Sequence, residues 1–188
     1  MQLALIRHGQ TDWNRDLRLQ GSSDIPLNDT GREQARKAVE LLAASEWDVI
    51  VSSPLGRARE TAQIIADGLG LELGPAYDLL TERDYGEGEG ATEEVIAERW
   101  PNKEYPGLES VESVGDRGTR ALEQIAADFG DARVIIVTHG TLIRVTLDEL
   151  SGFSFPSISN AAISTVEKDG DSWRVLSVNG EPVEAVAV

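Results

Sequence analysis

The chain of 188 residues contains no cysteine, so neither a disulfide scaffold nor a thiolate metal site can be built from it. Basic residues are also scarce. Seventeen Lys and Arg stand against 33 Asp and Glu, a formal charge of -16, and nucleic acid or an anionic membrane would find a cationic footprint only as a local patch. The apolar opening Met1 to Ile6 ends at Arg7, too short for a signal peptide or a membrane span, and no later run approaches the roughly 18 residues that a span needs. Histidine is scarcest of the ionisable types, with only His8 and His139. The expectation is a soluble cytoplasmic protein, monomer or homodimer, with no nucleic-acid or membrane partner.

What is present is a normal globular composition, 40% hydrophobic and 27% charged, at a length that predicts one domain over residues 1–188. Leu3 to Ile6 and Arg133 to Thr138 are short apolar runs of the kind that form strands buried on both faces. Asp48 to Ser52 predicts another strand, and Tyr77 to Leu80 a fourth. Between them, Thr30-Gly31-Arg32-Glu33 has capping-box spacing ahead of Ala35, Ala38, Val39 and Leu42. Ser53-Pro54 can cap and open a second helix with an apolar stripe at Leu55, Ala58, Ala62, Ile65, Ala66 and Leu69. The Gly-rich acidic segment Asp84 to Gly90, a helix near Thr92 to Trp100 and a Pro/Gly-bounded loop form a short cap-like segment around 84–110, followed by a longer helix to about Phe129. A helical pattern continues beyond His139 through Leu147 and Leu150. Ala161 to Glu167 and Trp173 to Val178 then alternate about a turn, as an edge hairpin does. The predicted fold is α/β: a three-layer αβα arrangement on a mostly parallel central sheet, with an antiparallel edge hairpin near the C-terminus.

Both histidines follow a buried strand and precede glycine, as Arg7-His8-Gly9 and Thr138-His139-Gly140. Open parallel sheets bind ligands beyond the carboxyl ends of their strands, so the two imidazoles can share one crevice. A histidine in such a place can instead cap a helix or sit satisfied in the core. Arg57 and Arg59 fall near the start of the helix opened by Pro54, where the dipole disfavours cations unless an anion is bound. Arg57, with Arg7 and the free N–H groups of that helix start, is the better phosphate ligand; Arg59, beside Glu60, fits an ordinary surface ion pair.

Arg7-His8-Gly9-Gln10-Thr11, with Asn14, Arg18-Leu19-Gln20-Gly21 and Asp24-Ile25-Pro26-Leu27, resembles the opening signature of the histidine phosphatase superfamily, which includes the cofactor-dependent phosphoglycerate mutases. Ser52 to Ala58 with Thr61-Ala62 is similar to its second motif. Glu82 with Tyr85-Gly86 and Glu89-Gly90, Gly107 with Glu109-Ser110, and Val137 to Gly140 with Ile143-Arg144 are similar to those that follow, in order. The resemblance implies that His8 is a nucleophile taking the phosphoryl group, that Arg7, Arg57, His139 and Asn14 hold phosphoryl oxygens, and that Glu82 is the general acid. It also implies that Gln20, Gly21, Ser22 and Gly140 contact the phosphate or substrate, with neither cofactor nor metal.

Two departures stand out. Gln10 occupies a position where many members have Glu, and Gly88 one where an aromatic is frequent. Mutases of the family carry a longer insertion between the acid and the second histidine, with Lys and Arg for the substrate carboxylate; here no lysine follows Glu82 before Lys103. The expectation is a histidine acid phosphatase-type phosphomonoesterase acting on a small-molecule phosphate ester, with mutase activity as the alternative. A two-His-plus-carboxylate metal site and a non-catalytic phospholigand-binding protein remain the readings from other classes. Scattered acids are screened within about 8 Å, so the overall charge does not oppose a phosphate pocket. The acidic run from Glu82 to Glu94 is expected at its mouth, disfavouring polyanionic esters.

Overall fold

The computed structural model describes residues 1–183; the last five residues of the predicted 1–188 domain lie outside it. Seven strands form one sheet in the order β3-β2-β4-β1-β5-β6-β7. The strands are β1 (Gln2–Arg7), β2 (Val49–Ser52), β3 (Leu73–Ala76), β4 (Val134–Thr138), β5 (Ile163–Asp169), β6 (Ser172–Val178) and β7 (Glu181–Pro182). The first four are mutually parallel, and β5 runs antiparallel beside β1, so the C-terminal hairpin continues the sheet instead of standing apart from it.

Six helices accompany them among the described residues: α1 (Asp12–Arg15), α2 (Asp29–Leu42), α3 (Gly56–Leu69), α4 (Glu93–Arg99), α5 (Val111–Phe129) and α6 (Gly140–Ser151). Period-two alternation in the buried strands sends side chains to opposite faces. Leu3, Leu5, Val134 and Ile136 pack under α5 and α6, while Ala4, Ile6, Ile135 and Val137 pack under α2 and α3. No helix among the described residues is long and apolar enough to cross a membrane.

Three local expectations are corrected. The strand placed at Tyr77 to Leu80 lies earlier, at Leu73–Ala76; Asp78–Leu80 coils into a 3-10 turn that puts Leu80 in the core. The chain there carries Gly74 and Pro75, which obscure the strand, and Gly74 leaves room for the Ile50 carbonyl at 2.8 Å from where its Cβ would be. The cap of α2 is not Thr30 but Asn28, whose side chain accepts from Gly31 N, while the capping box is found at Thr11 and Asn14 of α1. The third concerns α3, which begins at Gly56 rather than Pro54. Gly56 N donates to Asp24 Oδ2 at 2.8 Å and Leu55 N to Ser53 Oγ at 3.3 Å. Two of the N–H groups at its start, those of Leu55 and Gly56, thus meet protein acceptors instead of standing free.

Candidate active site

Strand register brings the two histidines together. β1 and β4 are parallel neighbours with Arg7 opposite Thr138, so His8 and His139 leave adjacent strand ends side by side. Their rings meet edge-on with centroids 5.2 Å apart. β2 flanks β4 with Ser52 opposite Val137, which places Ser53 beside His139 and lets α3 carry Arg57 back over the same strand ends.

The His8 ring is oriented by the main chain: Nδ1 lies 2.7 Å from the carbonyl of Gly9. A carbonyl only accepts, so Nδ1 carries the ring proton and Nε2 keeps its lone pair. Nε2 accepts from Arg57 Nε at 3.2 Å. Burial, then the Arg57 and Arg7 cations, hold the His8 pKa well below the usual 6.5, leaving a neutral imidazole at neutral pH. The His139 pKa is likewise depressed, by burial first and then by Arg57, His8 and Arg7. Its Nε2 lies 2.8 Å from Ser53 Oγ. With the Ser53 hydroxyl donating to Nε2, the ring proton sits on Nδ1, which is buried without a partner.

Arg57 is fully buried although it sits in the first turn of α3. Its guanidinium donates to the carbonyls of Ser23 (2.8 Å) and Gly21 (2.7 Å), and Asp24 stands 3.8 Å away. Arg7 donates Nη1 to the carbonyl of Ile158 at 2.6 Å, while its buried Nε has no protein partner. A side chain at position 140 would stand 3.1 Å from that Nε, so Gly140 keeps the flank of the guanidinium open.

These groups line a cavity of about 170 Å³ with Asn14, Gln20, Gly21, Glu82 and Gly140. Gln20 Oε1 accepts from Thr11 Oγ1 at 2.6 Å, and Asn14 Oδ1 accepts from Thr11 N and from Asn160 Nδ2, at 3.1 and 3.2 Å. The amide NH₂ of each is the end left to face a ligand. Glu82 accepts from Arg83 N (2.9 Å), Leu142 N (3.1 Å) and Thr141 N (3.1 Å), bracing the start of α6 against the pocket. Tyr85, pushed up to about 12 by burial and by Glu82, bonds Thr141 Oγ1 at 2.6 Å.

Two expected site residues lie apart from the cavity wall. His139 sits behind His8, and Ser22 gives both its N–H (2.7 Å) and its hydroxyl (3.1 Å) to Glu89. Glu89 also accepts from Ser23, so it clamps the 21–23 turn beside the cavity. Arg59 is no surface ion pair either: it reaches Gly74 O at 3.0 Å and Ser52 Oγ, tying α3 to β2 and β3, while Glu60 pairs with Arg32. Among the described residues no group of three or more His, Asp or Glu side chains is placed to hold a metal ion.

Sequence reading missed Ser53, Ile158 and Asn160. Asn160 donates to the His8 carbonyl at 3.0 Å, and Thr61 Oγ1 accepts from Gly9 N at 3.0 Å. The strand-end position of Ser53 and its place in the second motif were signals for it; Ile158 contributes a carbonyl, which no side-chain pattern reveals.

A sequence model of the histidine phosphatase superfamily, branch 1, matches residues 3–181. The chain is 39% identical over 181 residues to an uncharacterized phosphatase, PhoE, of Bacillus subtilis, covering 94% of this chain and 93% of that protein. Among solved structures, Bacillus stearothermophilus YhfR superposes with a TM-score of 0.87 at 29% identity, covering 97% and 98% of the two chains. A mycobacterial glucosyl-3-phosphoglycerate phosphatase solved as a complex with VO3 superposes at 0.86 and 29% identity, covering 95% and 98%.

Proposed function

Because the chain belongs to the histidine phosphatase superfamily, branch 1, we propose that it is a phosphomonoesterase that hydrolyses a small-molecule phosphate ester through a phosphohistidine on Nε2 of His8. One observation carries this reading: a neutral His8 imidazole on the wall of a cavity, its Nε2 held by Arg57, beside an Arg7 Nε that is buried and, among the described residues, has no acceptor. A buried donor is rarely left unpaired, and an oxygen of a phosphoryl group bound at His8 would satisfy it.

In the first step His8 Nε2 attacks phosphorus while the bond to the ester oxygen breaks, and Glu82 gives a proton to that oxygen so that an alcohol leaves. The Gly9 carbonyl supports the positive charge that grows on the ring at Nδ1. Arg7, Arg57 and His139 stabilise the charge spread over the equatorial oxygens, with the Asn14 and Gln20 amides assisting. In the second step water attacks phosphorus, its proton passes to the Glu82 carboxylate, and the P–N bond breaks to release inorganic phosphate and restore His8. The 84–110 segment acts as a cap over the leaving-group side within one domain.

His8→Ala is expected to abolish hydrolysis of a chromogenic aryl phosphate, and with it the acid-labile phosphoenzyme trapped from wild type with labelled substrate. Turnover retained by the variant would reject the nucleophile. Conversion of 3-phosphoglycerate to its isomer faster than phosphate release would assign a mutase instead.

A further inference from the structure

A second cavity, of about 950 Å³, adjoins the phosphate pocket and shares Arg7, Asn14, Arg18 and Leu19 with it. The first cavity holds a phosphoryl group and little more; the second has the capacity of a site for a drug-sized molecule, far above what serine or glycerate needs. Its apolar surface comes from Leu17, Leu19, Ile96, Tyr105 and Leu108. Apart from Arg7, which serves the phosphoryl group in the first cavity, its charges oppose one another, with Arg18, Arg83 and Lys103 set against Asp16, Glu93 and Glu94. Arg18 is tied to the carbonyl of Gly90 at 2.8 Å, and Lys103 stands 3.8 Å from Glu93. Such a lining has no surplus field with which to hold a carboxylate or a second phosphate.

Two features single out this wall. At Gly88 a Cβ would stand 2.5 Å from the Tyr105 ring, so the missing side chain there is what admits the ring to the cavity. Tyr105 is further set by Trp100, with ring centroids 5.3 Å apart. Leu17 is 79% exposed with a left-handed backbone at φ 54°, and Lys103, also lining the cavity, has φ 56°. A leucine in that conformation costs roughly 1–2 kcal/mol and here gains no burial in return. The left-handed turn closes α1, with Leu17 N donating to the Asn14 carbonyl at 3.2 Å and Arg18 N to the Trp13 carbonyl at 2.8 Å, and it leaves the Leu17 side chain exposed on the cavity wall.

Resting on the phosphatase reading above, we infer that this enzyme selects phosphate esters whose leaving group is a large, uncharged aromatic or comparably flat apolar body, with Tyr105 and Leu17 as its specificity-determining contacts. The test compares kcat/KM for 2-naphthyl phosphate, ethyl phosphate and O-phosphoserine, with phenyl phosphate as the one-ring reference. Wild type should favour naphthyl over phenyl phosphate by about tenfold, mainly through KM, since the added ring brings only apolar area and aryl leaving groups are otherwise alike. O-phosphoserine should be the poorest of the four. Tyr105→Ala should erase the naphthyl-to-phenyl ratio. Leu17→Asn should lower it while leaving the thermal midpoint unchanged or raised, because asparagine tolerates the left-handed backbone; that combination separates ligand contact from structural damage. Equal efficiency on naphthyl and phenyl phosphates, a preference for phosphoserine, or ratios unmoved by both substitutions would overturn the inference alone. No turnover of any ester would overturn the phosphatase reading and the inference with it.

Discussion

Burying two neutral imidazoles 5.2 Å apart among arginines makes the stability of this fold depend on pH in a window where few other groups titrate. In the unfolded chain each histidine titrates near 6.5; in the native state both are held well below that value. The sign follows from proton counting. Below about pH 6.5 the unfolded state binds protons that the native state refuses, so stability is complete above that pH and is lost as pH falls. One unit below 6.5 each histidine costs on the order of 1 kcal/mol, and the pair a few kcal/mol, a large share of a typical stability of roughly 5–15 kcal/mol. The carboxylates held below their ordinary range, Asp16, Glu89, Glu109 and Glu123, act only at lower pH, as the unfolded chain takes up protons near 3.8 and 4.5. Urea unfolding in phosphate-free buffer at pH 7.5, 6.5 and 5.5 measures the effect. His139→Gln should halve the loss between the first and last points, and the double variant His8→Gln with His139→Gln should remove it. A wild-type stability flat to within about 0.5 kcal/mol across that range would refute the neutral pair, as would a full loss persisting in the double variant.

The remaining expectations concern single contacts. Glu82→Gln should slow alkyl phosphates far more than aryl phosphates, which scarcely need a proton on leaving; equal losses would argue against Glu82 as the acid. Ser53→Ala removes the hydroxyl that orients His139, with an expected fall in kcat/KM of about tenfold for one buried hydrogen bond, while unchanged kinetics would remove Ser53 from the site. Gly9→Ala would set a Cβ 2.3 Å from the Gly31 carbonyl, a clash with backbone, and should cost about 3 kcal/mol or more with loss of activity. Gly70→Ala, at φ +70° in open space, should cost only about 1–2 kcal/mol and spare activity. Equal losses at both glycines in thermal unfolding would show that close approach at Gly9 is not what matters.

How much the sequence discloses depends on range. His8 and His139 were legible because each sits in a repeated strand-His-Gly context, and parallel register does the rest; Arg57 was legible as a cation in a position the helix dipole opposes. Glu82 is one acid among 33 and comes from family resemblance, not from pattern. Cap assignments slipped by two residues because Asn28 and Thr30 are both competent capping types, and only the packed chain decides between them. The strand at Leu73–Ala76 was hidden because Gly74 and Pro75 have poor strand propensity, yet the edge of a sheet tolerates both. Arg59 was misread as a surface ion pair because its partner Gly74 is set by tertiary packing, as the Ser22 and Ser23 partners of Glu89 also are.

The placement of β1 also bears on how the molecule is made. Among the described residues the neighbours of β1 are β4 and β5, both from the last third of the sequence. Until residue 134 and beyond have been synthesised, Leu3 to Ile6 have no sheet to join, whereas β2, α3 and β3 can already pair. Arg7 and His8 wait longer still, for Ile158 and Asn160. Contacts of such separation are slow to form and are assembled last. A truncated chain ending before residue 160 therefore keeps Arg7, His8 and His139 but lacks the Asn160 amide that holds the His8 carbonyl, so the strand-end site depends on a segment remote in sequence.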